Sequence, residues 1–105
     1  MPERTDEIVN IVRRYINELE KNNIHITDAV LFGSYTNGNP HQYSDIDIAL
    51  VSENFCGIRF LDRKNIADIT LIIDHRISPL PFRPEEFNDN SLFVKEILTT
   101  GKRIL

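Results

Sequence analysis

Apolar residues recur at three- and four-residue spacing in the first part of the chain: Ile8, Val9, Val12, Tyr15, Ile16 and Leu19. Side chains so spaced share one side of a helix, so this stretch predicts an amphipathic helix with a single buried face. Thr5 is the expected N-cap, Asp6 and Glu7 fall in the first turn where the helix dipole favours anions, and Asn22-Asn23 is the expected stop. Beyond it the period changes. Ile24 to Phe32 reads as extended chain, and the continuous run Ala29-Val30-Leu31-Phe32, halted by Gly33, predicts a short buried strand. Gly33 to Ser44 is polar and turn-forming, most strongly at Asn37-Gly38-Asn39-Pro40. Asp45-Ile46-Asp47-Ile48-Ala49-Leu50-Val51 then alternates carboxylate with aliphatic before turning wholly apolar, which predicts a second strand.

The second half carries two competing periods. Ile58, Leu61, Ile66, Ile69 and Ile72 fit a helical spacing, whereas Ile69-Thr70-Leu71-Ile72-Ile73 is rich in the β-branched residues that suit a strand. The reading is a helix over 57–71 followed by a strand over 72–77. Pro79, Pro81 and Pro84 predict an irregular connector, because proline lacks the N–H that a sheet ladder uses. Phe93 to Leu98 reads as a short helix closed by Gly101, and Arg103-Ile104-Leu105 as a last short strand. Strands and helices alternate, which predicts an α/β (α+β) fold: a small mixed sheet with helices packed on it. No repeat, low-complexity tract or linker interrupts the chain, so residues 1–105 read as a single domain.

Composition narrows the function classes. At 41% hydrophobic and 27% charged residues the chain has the balance of a globular protein, not of a fibrous or disordered one. A net charge of −4 argues against a protein that wraps duplex nucleic acid with clustered Lys and Arg, but leaves a nucleotide bound through a metal ion open. The one cysteine, Cys56, cannot form an internal disulfide. No apolar run approaches the ~18 residues of a membrane span, and the start Met1-Pro2-Glu3-Arg4 is unlike a secretory signal. The expectation is a cytoplasmic protein with no membrane partner.

The chemistry concentrates between Gly33 and Asp47. A Gly33-Ser34 pair leaves the end of a predicted buried strand, where small residues let backbone amides and a hydroxyl approach a phosphate. Asp45 and Asp47 lie two apart on a predicted strand, so both carboxylates point to one face, about 6–7 Å apart, while Ile46 and Ile48 point into the core. Empty, such a pair repels itself; a hard cation with oxygen ligands relieves the repulsion, and magnesium takes one or two carboxylates plus substrate phosphates. Either feature alone is more often a turn or a solvated strand face. Together, in a strand–turn–strand context, they point to phosphoryl or nucleotidyl transfer.

Gly-Ser, ten residues, then Asp-x-Asp resembles the signature of the DNA polymerase β-like nucleotidyltransferase superfamily, and the small size resembles its minimal nucleotidyltransferases, the MNT proteins. The resemblance implies the polymerase β-like fold, with the site at one end of a mixed sheet. Gly33, Ser34 and Ser44 would then hold the triphosphate of ATP, and Asp45 and Asp47 would bind magnesium, two ions in all. A third carboxylate usually comes from the next strand. Asp74 is favoured for it, because it precedes His75-Arg76-Ile77 and a proline-rich segment as the family's third aspartate does; Asp68 is the alternative. The chain departs from many relatives in carrying Thr36-Asn37-Gly38 where they have Ala-Arg-Gly, so Asn37 cannot give an arginine's grip on phosphate.

Other polar residues read more plainly. His25, His41 and His75 are scattered without zinc-ligand spacing, and His41 is a solvated loop residue unless it touches nucleotide. Tyr35 and Tyr43 close the loop or flank a base, and Ser44 also suits a role steadying the turn before Asp45. Arg59, Arg63 and Lys64 form a solvated basic face, and Phe82, Phe87 and Phe93 serve as core or interface anchors. The resemblance implies an enzyme that transfers AMP from ATP to a hydroxyl, with the acceptor on another chain or a second protomer. In the minimal family that partner is a HEPN-domain toxin, modified on tyrosine by its antitoxin. The competing expectation is a catalytically weak binding module that neutralises a partner by contact. A third, modification of an antibiotic or metabolite, lacks a second domain to enclose the acceptor.

Overall fold

The computed structural model describes residues 2–33 and 45–105, with side chains from Glu7 onward. The first helix, α1, runs Pro2–Lys21, so it begins before Thr5, which lies inside it and does not cap it. Proline suits a helix start because the first-turn N–H it lacks would have no partner there. At the other end Asn23 adopts a left-handed φ of 67°, and the Ile24 N–H returns 3.0 Å to the Leu19 carbonyl, closing the helix where Asn22-Asn23 was expected to.

Strands β1 (Asp28–Phe32) and β2 (Ile46–Val51) pair antiparallel, with Phe32 opposite Asp47. Helix α2 (Arg59–Ile73) crosses over to β3 (Ile77–Phe82), which lies parallel to β2. Helix α3 (Leu92–Thr100) leads into β4 (Lys102–Arg103), antiparallel to β1, and the sheet order is β3-β2-β1-β4. The expected mixed sheet with packed helices is what the chain forms.

Two expectations in the second half fail. The helix expected to stop at Leu71 continues to Ile73, because Ile66, Ile69 and Ile73 at helical spacing all reach the core. The strand expected over 72–77 begins only at Ile77 and runs through Pro79 and Pro81, the supposed irregular connector. The register explains how it can. The Ile46 N–H donates to the Arg76 carbonyl and the Ser52 N–H to the Phe82 carbonyl, so even-numbered residues of β3 face β2. Residues 79 and 81 therefore turn their backbone nitrogens off the open edge, where an absent N–H costs no ladder bond and blunts the edge against further pairing.

Residues alternate across the sheet. Ile46, Ile48, Leu50 and Ile77 pack with Ile8, Val12, Tyr15, Ile16 and Leu19 of α1 and Ile66 of α2. Val30, Ala49, Val51 and Phe82 pack on the opposite face with Val94 and Ile97 of α3. Helix α2 lacks a side-chain cap at Ile58; the buried Asp62 carboxylate instead accepts the N–H groups of Cys56 (2.8 Å) and Gly57 (3.1 Å). Gly101 ends α3 as expected, and a Cβ there would lie 2.5 Å from both the Ile97 carbonyl oxygen and Val30 Cγ1. Close approach to β1, not a left-handed turn, is what requires the glycine.

The buried hydroxyls of Tyr15 and Thr70, 2.6 Å apart, join α1 to α2. Burial pushes the Tyr15 phenol up to about 12, against a smaller opposing effect of the Thr70 bond. Because the folded phenol gives up its proton later than the unfolded one, its contribution is intact below pH ~10 and lost as pH climbs toward about 12. Urea unfolding of Tyr15→Phe is expected to lose that part of the alkaline sensitivity. Thr70→Val, which strands the phenol without its buried partner, is expected to cost about 1–3 kcal/mol at neutral pH.

Candidate active site

The alternation of β2 places Asp47 between Ile46 and Ile48, whose side chains fill the α1–α2 core. Asp47 therefore emerges on the other side of the sheet, the side of α3, at the end where β1 finishes. It is half-buried there, and its carboxyl is held above the usual range first by burial and then by the negative charge of Asp45. Asp45 itself is exposed and stands one residue before β2 begins, not on the strand as expected.

Gly33 follows β1 directly and completes this end of the site. Its φ is +82°, a left-handed conformation that side chains rarely take, and a Cβ built on it would overlap the Asp47 carboxylate. Glycine is required here twice over, by backbone conformation and by the close approach of the acid. Beside it, Phe32, Gly33, Phe93, Glu96, Ile97 and Thr100 line a cleft of about 150 Å³, with the Phe32 and Phe93 rings edge-to-face at 6.3 Å between centroids. Ser34 and Ser44, with Tyr35, Asn37, His41 and Tyr43, lie outside the described residues.

The expected third carboxylate does not stand on a strand. Asp74 caps the C-terminus of α2, and both its oxygens are taken by Arg76: Nη2 to Oδ2 at 2.9 Å, Nε to Oδ1 at 3.1 Å, and the backbone N–H to Oδ1 at 2.8 Å. These bonds hold the Asp74 carboxyl below the ordinary carboxylate range. Asp68 is an exposed residue within α2. Among the described residues no group of three or more His, Cys, Asp or Glu could hold a metal ion.

Sequence reading missed what the parallel register supplies. Ser78 of β3 sits directly opposite Asp47, and the Arg76 carbonyl receives the Ile46 N–H at the same strand end. No local pattern marks either residue; the signal lies in a strand pairing across a fifteen-residue helix. Of the histidines, exposed His25 meets Glu20 at 3.1 Å, and exposed His75 precedes β3. Phe82 is buried with the Phe87 ring tilted 54° against it at 5.1 Å between centroids, whereas Phe93 is half-exposed.

Carboxylate oxygens are the donors a hard divalent cation prefers, and Asp47, held above the usual range first by burial and then by the charge of Asp45, is a carboxyl whose ionisation such a cation would favour. Comparison with known proteins gives the family of the chain. Residues 14–105 match the family Polymerase beta, Nucleotidyltransferase. The chain belongs to that family and is a nucleotidyltransferase domain.

The relatives are consistent with the assignment. MJ1305 of Methanocaldococcus jannaschii, named as a candidate protein adenylyltransferase, is 33% identical over 67 residues, which take in 60% of this chain. The match covers 46% of MJ1305, so the chain spans about half the length of that relative. In structure, a candidate nucleotidyltransferase from Sulfolobus solfataricus superposes with a TM-score of 0.65 at 17% identity, covering 96% of this chain and 82% of the other. A toxin–antitoxin complex with AMP-PNP follows at 0.59 and 23% identity, covering 92% and 72%, and an MntA–HpeT toxin–antitoxin mutant at 0.55 and 19%, covering 96% and 72%. At these identities the structural likeness shows the shared fold.

Because Asp47 is penalised for being charged in the fold, its ionisation subtracts stability as pH rises through its titration. Asp47→Asn is therefore expected to melt a few degrees higher than the parent at pH 7, with the gain vanishing below pH ~4, where the aspartate is already neutral. Gly33→Ala is expected to lose about 1–3 kcal/mol, read by the same thermal scans.

Proposed function

We propose that this chain is a magnesium-dependent adenylyltransferase that moves AMP from ATP onto a protein hydroxyl, a tyrosine of a HEPN-type toxin, and so acts as an antitoxin. The observation that carries the reading is the Asp45–Asp47 pair, raised at Asp47 and abutting Gly33. The family, the adenylyltransferase name of MJ1305 and the toxin–antitoxin neighbours support it. Residues 1–105 would work as one catalytic domain in the cytoplasm, where ATP is plentiful.

In this reading Asp45 and Asp47 hold the magnesium, and Gly33, Ser34 and Ser44 cradle the triphosphate. Bound there, the metal would neutralise phosphate charge and steady the leaving pyrophosphate. The acceptor hydroxyl oxygen attacks the α-phosphorus in line with the departing pyrophosphate, and its proton passes to a carboxylate. Asp74 takes that proton, or joins the metal, only after parting from Arg76. Arg76, held at the start of β3, supplies the phosphate-seeking cation that Asn37 does not.

A second reading, a binding module that neutralises its partner by contact with little catalysis, draws on one observation: Asp74 is committed to Arg76. Calorimetry with magnesium and a non-hydrolysable ATP analogue is expected to give binding that Asp45→Asn plus Asp47→Asn abolishes. Mass spectrometry of the partner after incubation with magnesium-ATP is expected to show one added AMP, lost in the same double variant. Full neutralisation of the partner by that variant, with no added mass in either case, would establish the binding module instead.

A further inference from the structure

Helix α2 buries one face and leaves the opposite one without a partner among the described residues. Asp62, Ile66 and Thr70 turn inward, while Phe60, Leu61, Leu71 and Ile72 remain 74%, 42%, 65% and 77% exposed. Lys64 and Asp68 are exposed between them, and neither belongs to an ion pair with a described residue. Their order, lysine four residues before the acid, is also the weaker arrangement for pairing along one helix. Arg59 and Arg63 lie to the side; Arg59 stacks over the Phe82 ring at 4.9 Å. A recess of about 580 Å³ lined by Arg59, Phe60, Arg63, Lys64 and Ala67 borders this surface on that side.

The pattern is its own complement. Read along the helix it runs two apolar residues, a cation, an anion, two apolar residues, and each pair is centred on the level of residue 66: Phe60 with Ile72, Leu61 with Leu71, Lys64 with Asp68. We propose that the chain self-associates as a two-fold dimer through antiparallel packing of α2 against α2 of a second copy. The symmetry brings Phe60 and Leu61 of one copy onto Ile72 and Leu71 of the other, and Lys64 onto Asp68 of the other, twice. Asn65 and Ala67, related by the same level, leave room at the centre.

The four apolar side chains expose on the order of 500 Å² per copy, so a pair withdraws about 1,000 Å², the lower bound for a specific interface. An interface at that bound fits weak, concentration-dependent association. Because α2 packs on the sheet face away from Asp47, both candidate sites stay open in the dimer. The proposal stands independently of the adenylyltransferase reading.

Sedimentation equilibrium of the full chain over ~10–300 μM tests it. The expected mass rises from 12.2 kDa toward twice that value. Lys64→Asp and Asp68→Lys, each placing like charges across both contacts, are expected to weaken association at least ~10-fold with unchanged helical circular dichroism. Mixed in equal amounts, the two variants restore both opposite-charge contacts and are expected to associate at parental strength. A parent chain that stays monomeric throughout, single variants that associate like the parent, or variants that fail to recover on mixing would each overturn the proposal.

Discussion

Everything at the candidate site follows from one carboxylate forced up against a glycine at the margin of a hydrophobic core. Strand β2 must bury Ile46, Ile48 and Leu50, and the pleat leaves Asp47 no choice but the opposite face. There the antiparallel partner ends in Gly33, the residue that lets the acid fit. Burial and the neighbouring Asp45 then make ionisation of Asp47 costly, which is the condition a divalent cation relieves. The core that positions the acid also accounts for its cost.

The third strand is where this chain differs from the expectation that the resemblance raises. Its prolines are admitted because β3 is an edge strand and residues 79 and 81 face away from β2. Opposite Asp47 it offers Ser78, and the nearest acid before it, Asp74, is engaged by Arg76. The Arg76 side chain is thereby tied to Asp74 just before the strand begins. Helix α2, which bridges β2 to this strand, serves two purposes: its inner face closes the core, and its outer face carries the self-complementary surface.

Helix α1, the buried run before Gly33, the strand that carries Asp47 and the glycine stop of α3 were all legible in the sequence, because each rests on local periodicity or on a backbone need confined to one turn; Asp45 was read onto that strand and stands just before it. The strand assigned over 72–77 failed for a reason particular to those residues. Ile69, Ile72 and Ile73 satisfy both a helix period and a β-branched composition, and only the presence of a sheet face to receive Ile69 and Ile73 selects the helix. Pro79 and Pro81 argued against a strand as firmly as composition can, yet the objection disappears once the strand is known to be the last in its sheet.

What the chain determined by itself is the inventory and the faces: which residues must be buried, which side of the sheet Asp47 leaves by, and where glycine is needed. Tertiary structure alone decided which residues meet across strands. Ser78 came to lie beside Asp47, Asp74 was tied to Arg76, and proline became tolerable at an edge. Those outcomes depend on register between segments separated by a whole helix, and pairing at that distance is set by the fit of two sheet faces to their helices, which no local pattern encodes.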